Sequence, residues 1–220
     1  MRKLLMFLAI FAIGIMTVAP AKAFIEVPTN GATGWQTFSY TLAKDFTGDI
    51  GWIVGDCDDY YVASWLLVDN LSLGSTSDAG FELNNLTGYT FGGDVTAVTT
   101  SEYGSGAFGP TEGSYMAELD SVNGDSGVDI SSYGYGGTDG SFLRLSGVSL
   151  SAGETFSFDW NFGTSEDEHV QDFSLFLVQS DSCSLKTYEL GKVAAVPIPG
   201  AVWLLGSGLI GLVALRRKSS

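Results

Sequence analysis

The chain has 220 residues, a formal net charge of −15, and 13% aromatic residues. All 25 acidic residues lie within residues 24–195, where only Lys44, Arg144, Lys186 and Lys192 oppose them, so that stretch carries −21. Such a field repels nucleic acid and anionic polysaccharide unless cations mediate, and a single histidine, His169, excludes a histidine-rich metal centre.

The chain opens Met1-Arg2-Lys3, continues with an apolar run from Leu4 to Val18, and then reads Ala19-Pro20-Ala21-Lys22-Ala23. A positive head, an apolar stretch and a small-x-small end are the parts of a secretory signal peptide. Ala21 and Ala23 supply the small residues, which puts cleavage after Ala23 and makes residues 1–23 a leader. Residues 24–195 then form one domain of ordinary size.

Within that domain the period is two. Phe156-Ser157-Phe158-Asp159-Trp160-Asn161-Phe162 alternates aromatic with polar, the mark of a half-buried antiparallel strand. Strands are also predicted over 36–42, 50–54, 62–68, 95–99, 115–119 and 173–177. Leu143 and Leu145, then Val148 and Leu150, flank a break at Gly147. Glycine-rich turns are predicted at 74–80, 104–113, 123–127 and 134–140. No stretch before the tail has a helical period. The expected fold is therefore all-β, an antiparallel β-sandwich or jelly roll.

The last residues, 196–220, read VPIPGAVWLLGSGLIGLVALRRKSS. Pro197 and Pro199 interrupt what precedes, and proline suits a first helical turn. Residues 200–215 carry no charge, and Arg216, Arg217 and Lys218 then stop the run. Sixteen helical residues reach about 24 Å, a short span for a hydrocarbon core of about 30 Å, helped by snorkelling of the terminal cations. Basic residues stay on the cytoplasmic side, which puts the domain outside, in agreement with the leader.

This tail resembles a PEP-CTERM sorting signal, in which a proline motif precedes a short apolar helix and an arginine-rich end. Pro197-Ile198-Pro199 stands where that family usually has Pro-Glu-Pro. The resemblance implies a Gram-negative host that makes exopolysaccharide. It also implies an exosortase-type enzyme that cuts near Val196, Pro197 and Pro199, so that the inner membrane is a temporary anchor.

A second resemblance covers the domain. The run GFELNNLTGYTFGGDVTAVTTSEYGSGAFGPTEGSYMAEL (80–119) is similar to the opening of carbohydrate-binding-module jelly rolls, and SFDWNFGTSEDEHVQDFSLFLV (157–178) resembles choice-of-anchor ectodomains. WLLVDNLSL (65–73) looks like the strand that closes such domains, yet here it comes first. The order implies a circularly permuted sandwich in which residues 24–73 supply the strands that normally come last.

Candidate sites follow. Cys57 and Cys183 are the only cysteines; in an oxidising compartment they could form one bridge, the alternatives being two separate thiols or a link between copies of the chain. Clustered carboxylates in loops suit Ca²⁺, and Glu166, Asp167 and Glu168 with Asp172 make one such cluster, with Asp56, Asp58 and Asp59 a second. The jelly-roll resemblance favours a different structural Ca²⁺ pair, Asp69 with Glu82. Tyr60, Tyr61, Tyr89, Tyr103, Tyr133 and Tyr135 fall in turns or strand ends, where they would either pack or stack on sugar rings. A serine triad lacks its Gly-x-Ser-x-Gly elbow, and no phosphate-binding loop precedes a helix. The expectation is a non-catalytic surface protein, structural or adhesive within exopolysaccharide. A carbohydrate-binding module is the alternative, and a secreted hydrolase a third reading.

Overall fold

The computed structural model describes residues 24–57, 63–74, 76–77, 81–103, 106–121, 128–133, 135, 137, 139–165, 171–181 and 184–194. The leader, with Ala21 and Ala23, and the tail, with Val196, Pro197, Pro199, Arg216, Arg217 and Lys218, lie outside the described residues. Among the described residues no helix is long and apolar enough to cross a membrane.

The elements in chain order are β1 (Ile25–Val27), β2 (Gln36–Thr41), β3 (Phe46–Asp56), β4 (Ser64–Leu73) and β5 (Thr76–Ser77). Then come β6 (Tyr89–Gly92), β7 (Asp94–Val98), β8 (Ser101–Tyr103), β9 (Gly106–Phe108) and β10 (Met116–Asp120). After β11 (Val128–Asp129) and a 3₁₀ turn (Ser131–Tyr133) follow β12 (Asp139–Leu150), β13 (Thr155–Thr164), β14 (Phe173–Ser180) and β15 (Leu185–Val193).

One sheet runs β1-β15-β14-β3-β12-β11, with β6 also on β12; the second runs β2-β13-β4-β10-β7, with β5 on β4. The N-terminal third is thus threaded through both sheets. β3 pairs with β12 and β14, and β4 pairs with β13, so 24–73 is not a separate unit. The expected purely antiparallel pattern needs one correction. β1 pairs in parallel with β15, which makes the first sheet mixed. A strand that arrives from the chain's beginning has no hairpin to dictate its direction.

The two sheets meet face to face through alternate residues. Trp52 and Phe176 from the first sheet pack on Phe38, Phe156 and Phe158 from the second, with Phe158 and Phe176 centroids 4.7 Å apart and Trp52 edge-on to Phe158 at 5.3 Å. Offset and edge-to-face rings fit the aromatic quadrupole. Phe176 touches Phe38 at 5.0 Å, Phe156 at 5.6 Å and Tyr188 at 5.9 Å, so it is the hub of this core.

Two irregularities set which side chains face out. In β4, Asn70 takes a left-handed φ of 50° and the register against β13 shifts there. Leu66 and Val68 point inward before it, Leu71 after it, and all three join the core. Without that bulge, Leu71 would face solvent. In β12, Gly147 (φ 73°) does not end the strand as the sequence suggests. The ladder continues through a register shift between Leu145 and Val148, and the Gly147 N–H donates to Asp49 Oδ1 at 3.0 Å. Glycine adopts that φ at no steric cost.

Three predicted turns also contain strand. The stretch 74–80 includes β5, 104–113 includes β9, and 134–140 includes the start of β12. The short strands β5 and β9 tolerate glycine-rich flanks, and at Gly140 in β12 a side chain would meet the Val54 carbonyl of β3.

Candidate functional site

Both outer faces of the sandwich carry chemistry, and so does the end where the tail departs. At that end Asp172 is fully buried. Its Oδ1 accepts the Cys57 N–H at 2.9 Å and its Oδ2 accepts the Ser64 hydroxyl at 2.7 Å. Its main-chain carbonyl accepts the Val193 N–H at 2.8 Å. One residue thereby ties the end of β3, the start of β4 and the end of β15. One described member of each acidic stretch meets the other here, since Asp56, next to Cys57, lies beside Asp172. Glu166, Asp167, Glu168, Asp58, Asp59, His169 and Cys183 lie outside the described residues. Cys57 itself is buried.

On the outer face of the second sheet, Asp69 and Glu82 do converge, on one loop. Asp69 Oδ2 accepts the N–H groups of Thr111, at 2.5 Å, and Glu112, at 2.9 Å. Glu82 accepts the N–H groups of Ser114, at 2.7 Å, and Tyr115, at 3.2 Å. The two carboxylates clamp residues 111–115 by their main chain. Asp159, the cross-strand partner of Asp69, joins through Thr111: the Thr111 hydroxyl lies 3.1 Å from Asp69 Oδ2 and 2.9 Å from Asp159 Oδ2. Burial pushes the Asp69 carboxyl above the ordinary carboxylate range, against the pull of its main-chain donors.

A Ca²⁺ ion takes six to eight oxygens. Of this pair, the clamp leaves Asp69 Oδ1, which is buried and accepts no hydrogen bond. Among the described residues no three His, Cys, Asp or Glu side chains gather as a metal cluster. An ion at Asp69 would take its remaining ligands from main-chain carbonyls and water.

The outer face of the first sheet carries a groove of about 330 Å³. Its origin is legible row by row. Arg144, Gly51 and Leu177 are cross-strand partners on β12, β3 and β14. Glycine in the middle of that row leaves a notch. Two residues along in one direction the face is filled by Ile53 and Leu175, which are fully buried. In the other direction stand Asp49 and its partner Gln179, which in turn pairs with Leu185 on β15. Rows two residues apart are separated by about 6.6 Å, so the notch spans roughly 13 Å from one filled row to the next. Phe142 walls one side, and Tyr133, carried by the 3₁₀ turn, stands over it.

The polar end of the groove is organised. Arg144 Nη2 donates to Asp49 Oδ2 and, at 3.4 Å, to Gln179 Oε1. The Arg144 hydrogen bond holds the Asp49 carboxyl below the usual carboxylate range. Arginine and aspartate therefore form a neutral pair, with the Arg144 side chain still 45% exposed. Leu185 on the rim is 47% exposed.

The six tyrosines separate accordingly. Tyr133 lines the groove. Tyr135 packs between Phe24, at 5.7 Å, and Phe173, at 5.5 Å, and Tyr89 packs on Phe81 at 5.3 Å. Tyr60 and Tyr61 lie outside the described residues, as does the side chain of Tyr103. Sequence reasoning passed over Asp49, Gly51, Arg144 and Gln179. The one available signal was Arg144, the only arginine of the domain.

No protein-family model, no curated protein and no solved structure matches the chain.

Proposed function

We propose that this is an exported, non-catalytic protein of the cell envelope or extracellular matrix, sorted by an exosortase-type enzyme and adhesive within exopolysaccharide. One observation carries the reading. The last strand leads straight into the tail with almost no linker. Val193 and Ala194 are still hydrogen-bonded to the body of the domain, the latter through its N–H to the Val27 carbonyl at 2.8 Å. Only residues 195–199 separate Ala194 from the predicted helix at 200–215. Five extended residues reach at most about 18 Å. A membrane-inserted tail would therefore hold the Asp172 end of the sandwich close to the bilayer and turn the opposite end outward.

The proline motif falls in that short linker. Cutting there releases the domain without unravelling β15. Pulse-chase labelling with fractionation tests the reading. The wild type is expected to pass from the inner membrane to the surface or medium, with a small mass loss. Chains lacking 196–220, or carrying Pro197→Ala with Pro199→Ala, should leave that route. Equal sorting of all three chains would sink it.

The finer features belong to the same proposal. The interleaving of 24–73 with 139–180 supports a permuted jelly roll, because pairing across that divide is what a permutation requires. The expected Cys57–Cys183 bridge does not belong to this proposal: Cys57 lies beside Asp172 at one end of β3, whereas Asp181 and Ser184, on either side of Cys183 in the chain, lie by Thr47 at the other end, roughly 30 Å along the strand and far beyond disulfide reach. Carbohydrate binding is the second reading, favoured by the groove on the first sheet.

A further inference from the structure

We infer that the groove around Gly51 binds a neutral pyranose unit of a polysaccharide. The inference rests on the adhesive reading above and gives it a site and a ligand class. Three observations combine. First, the groove has the two kinds of surface that a sugar ring demands. Phe142, Tyr133, Leu177 and Leu185 offer apolar contact for the C–H face, and the polar end offers planar hydrogen-bonding groups for vicinal hydroxyls. A Gly51 floor lets a flat ring approach the sheet backbone.

Second, the polar groups retain bonding capacity. Both Arg144 contacts use Nη2, so Nη1 and Nε still have N–H groups to donate, as does Gln179 Nε2. Asp49 is locked from behind by the Gly147 N–H, so the fork is held in place before a ligand arrives, which lowers the entropy lost on binding.

Third, charge selects against acidic glycans. The Arg144 charge is matched by Asp49, and the domain around the groove carries −21. A uronate or sulfated sugar would enter a repulsive field, and among the described residues that line the groove the one cation, Arg144, is already matched. A neutral hexose or deoxyhexose meets no such penalty.

The position agrees with the function. Leu185 begins the strand that ends at the tail, eight residues away, or about 27 Å along β15. In the anchored precursor the groove would sit on the half of the domain that faces away from the membrane.

The test uses the full chain in phospholipid nanodiscs, since glycoside detergents would compete for the groove. It is applied to an array of neutral and acidic oligosaccharides, followed by calorimetry on the best neutral binder. The expected result is binding to neutral glycans only, weakened about tenfold or more by Tyr133→Ala and by Leu185→Arg. Leu185→Arg lies at an exposed position, so it remains informative if Tyr133→Ala folds poorly. Absence of neutral-glycan binding by a folded wild type would overturn the proposal. So would equal binding of acidic glycans, or variants that bind like wild type. Surface labelling of the same variants in cells separates the two readings. Exported chains that bind no glycan remove the groove and leave the sorting; glycan-binding chains retained inside do the reverse.

Discussion

The two outer faces of this sandwich start from similar strands and end differently. β3 and β4 are both continuous buried runs, IGWIVGD and SWLLVD. On the second sheet the outward residues Trp65, Leu67 and Met116 are roofed by Trp35 and Phe108 and are fully buried. On the first sheet the outward row of β3 is Gly51, Ile53 and Gly55. The segment around Ile130 roofs Ile53 and Gly55, and the Gly51 level stays open as the groove. The lesson is that a run of apolar residues specifies burial on two sides, whereas a glycine within it leaves one side to be decided by whatever folds over it.

This comparison can be broken at several points. The largest effect is expected at Trp65, whose ring sits 5.3 Å from Phe108 and fills the place where Gly163 has no side chain. Trp65→Ala should cost about 3–5 kcal/mol in urea unfolding. A loss below 1 kcal/mol would mean that the roof carries little of the stability. Asp172→Ala should follow at about 3 kcal/mol, because it leaves the Cys57 N–H and the Ser64 hydroxyl buried without this acceptor. Asp172→Asn, which keeps one acceptor oxygen, should recover part of that loss.

The clamped loop comes next. Asp69→Ala removes the acceptor for two main-chain N–H groups and should cost about 1–3 kcal/mol. Hydrogen exchange at Thr111 and Glu112 should accelerate in that variant while Ser114, held by Glu82, changes less. Uniform acceleration from 111 to 115 would show that one carboxylate holds the whole loop.

Asp69 also gives a pH dependence with a definite sign. Its folded pKa lies above the ordinary 3.8, so between those two values the folded state binds more protons than the unfolded one. Stability from this group is therefore present at lower pH and falls as pH rises through that window. Asp49 acts oppositely. Its folded pKa is lowered, so its contribution is present above the ordinary value and is lost as pH falls through the folded one. Urea midpoints measured against pH should flatten in Asp69→Asn relative to wild type. A structural Ca²⁺ at Asp69 Oδ1 would raise the thermal midpoint of wild type but not of Asp69→Asn, and an unmoved wild type in millimolar Ca²⁺ would dismiss that ion.

The smallest effect is expected on the open face. Leu185→Ala should change stability by less than about 0.5 kcal/mol, because half of its surface already meets water. A loss comparable to that of Trp65→Ala would mean that the groove is core, and the contrast between the faces would fail.

Much of this fold was readable from period-two patterning. The aromatic alternation of 156–162 became the centre of β13, and 36–42 became β2 almost to the residue. β15 went unread because LKTYELGKV mixes lysine, threonine and glutamate, with its first residues exposed. Its place beside β14 comes from ladder hydrogen bonds and from Leu190 and Val193 reaching the core. β1 has three residues, too few for any period. The Asp69 and Glu82 convergence was accessible through the jelly-roll resemblance alone, since twelve residues, β5 among them, lie between the two in the chain. The groove was not accessible, because it depends on the absence of a side chain at Gly51 and on the registers of β12, β14 and β15.

What the sequence determined by itself was local: alternation that makes strands, glycines that permit the bulge at Gly147, and a surplus of carboxylates that gives the domain its negative charge. These follow from each residue's own sterics and charge. Tertiary structure alone decided which face was roofed, which carboxylates became clamps, and where a notch opened. Those outcomes depend on cross-strand partners distant in the chain, and register between such strands is set by the packing of both faces together.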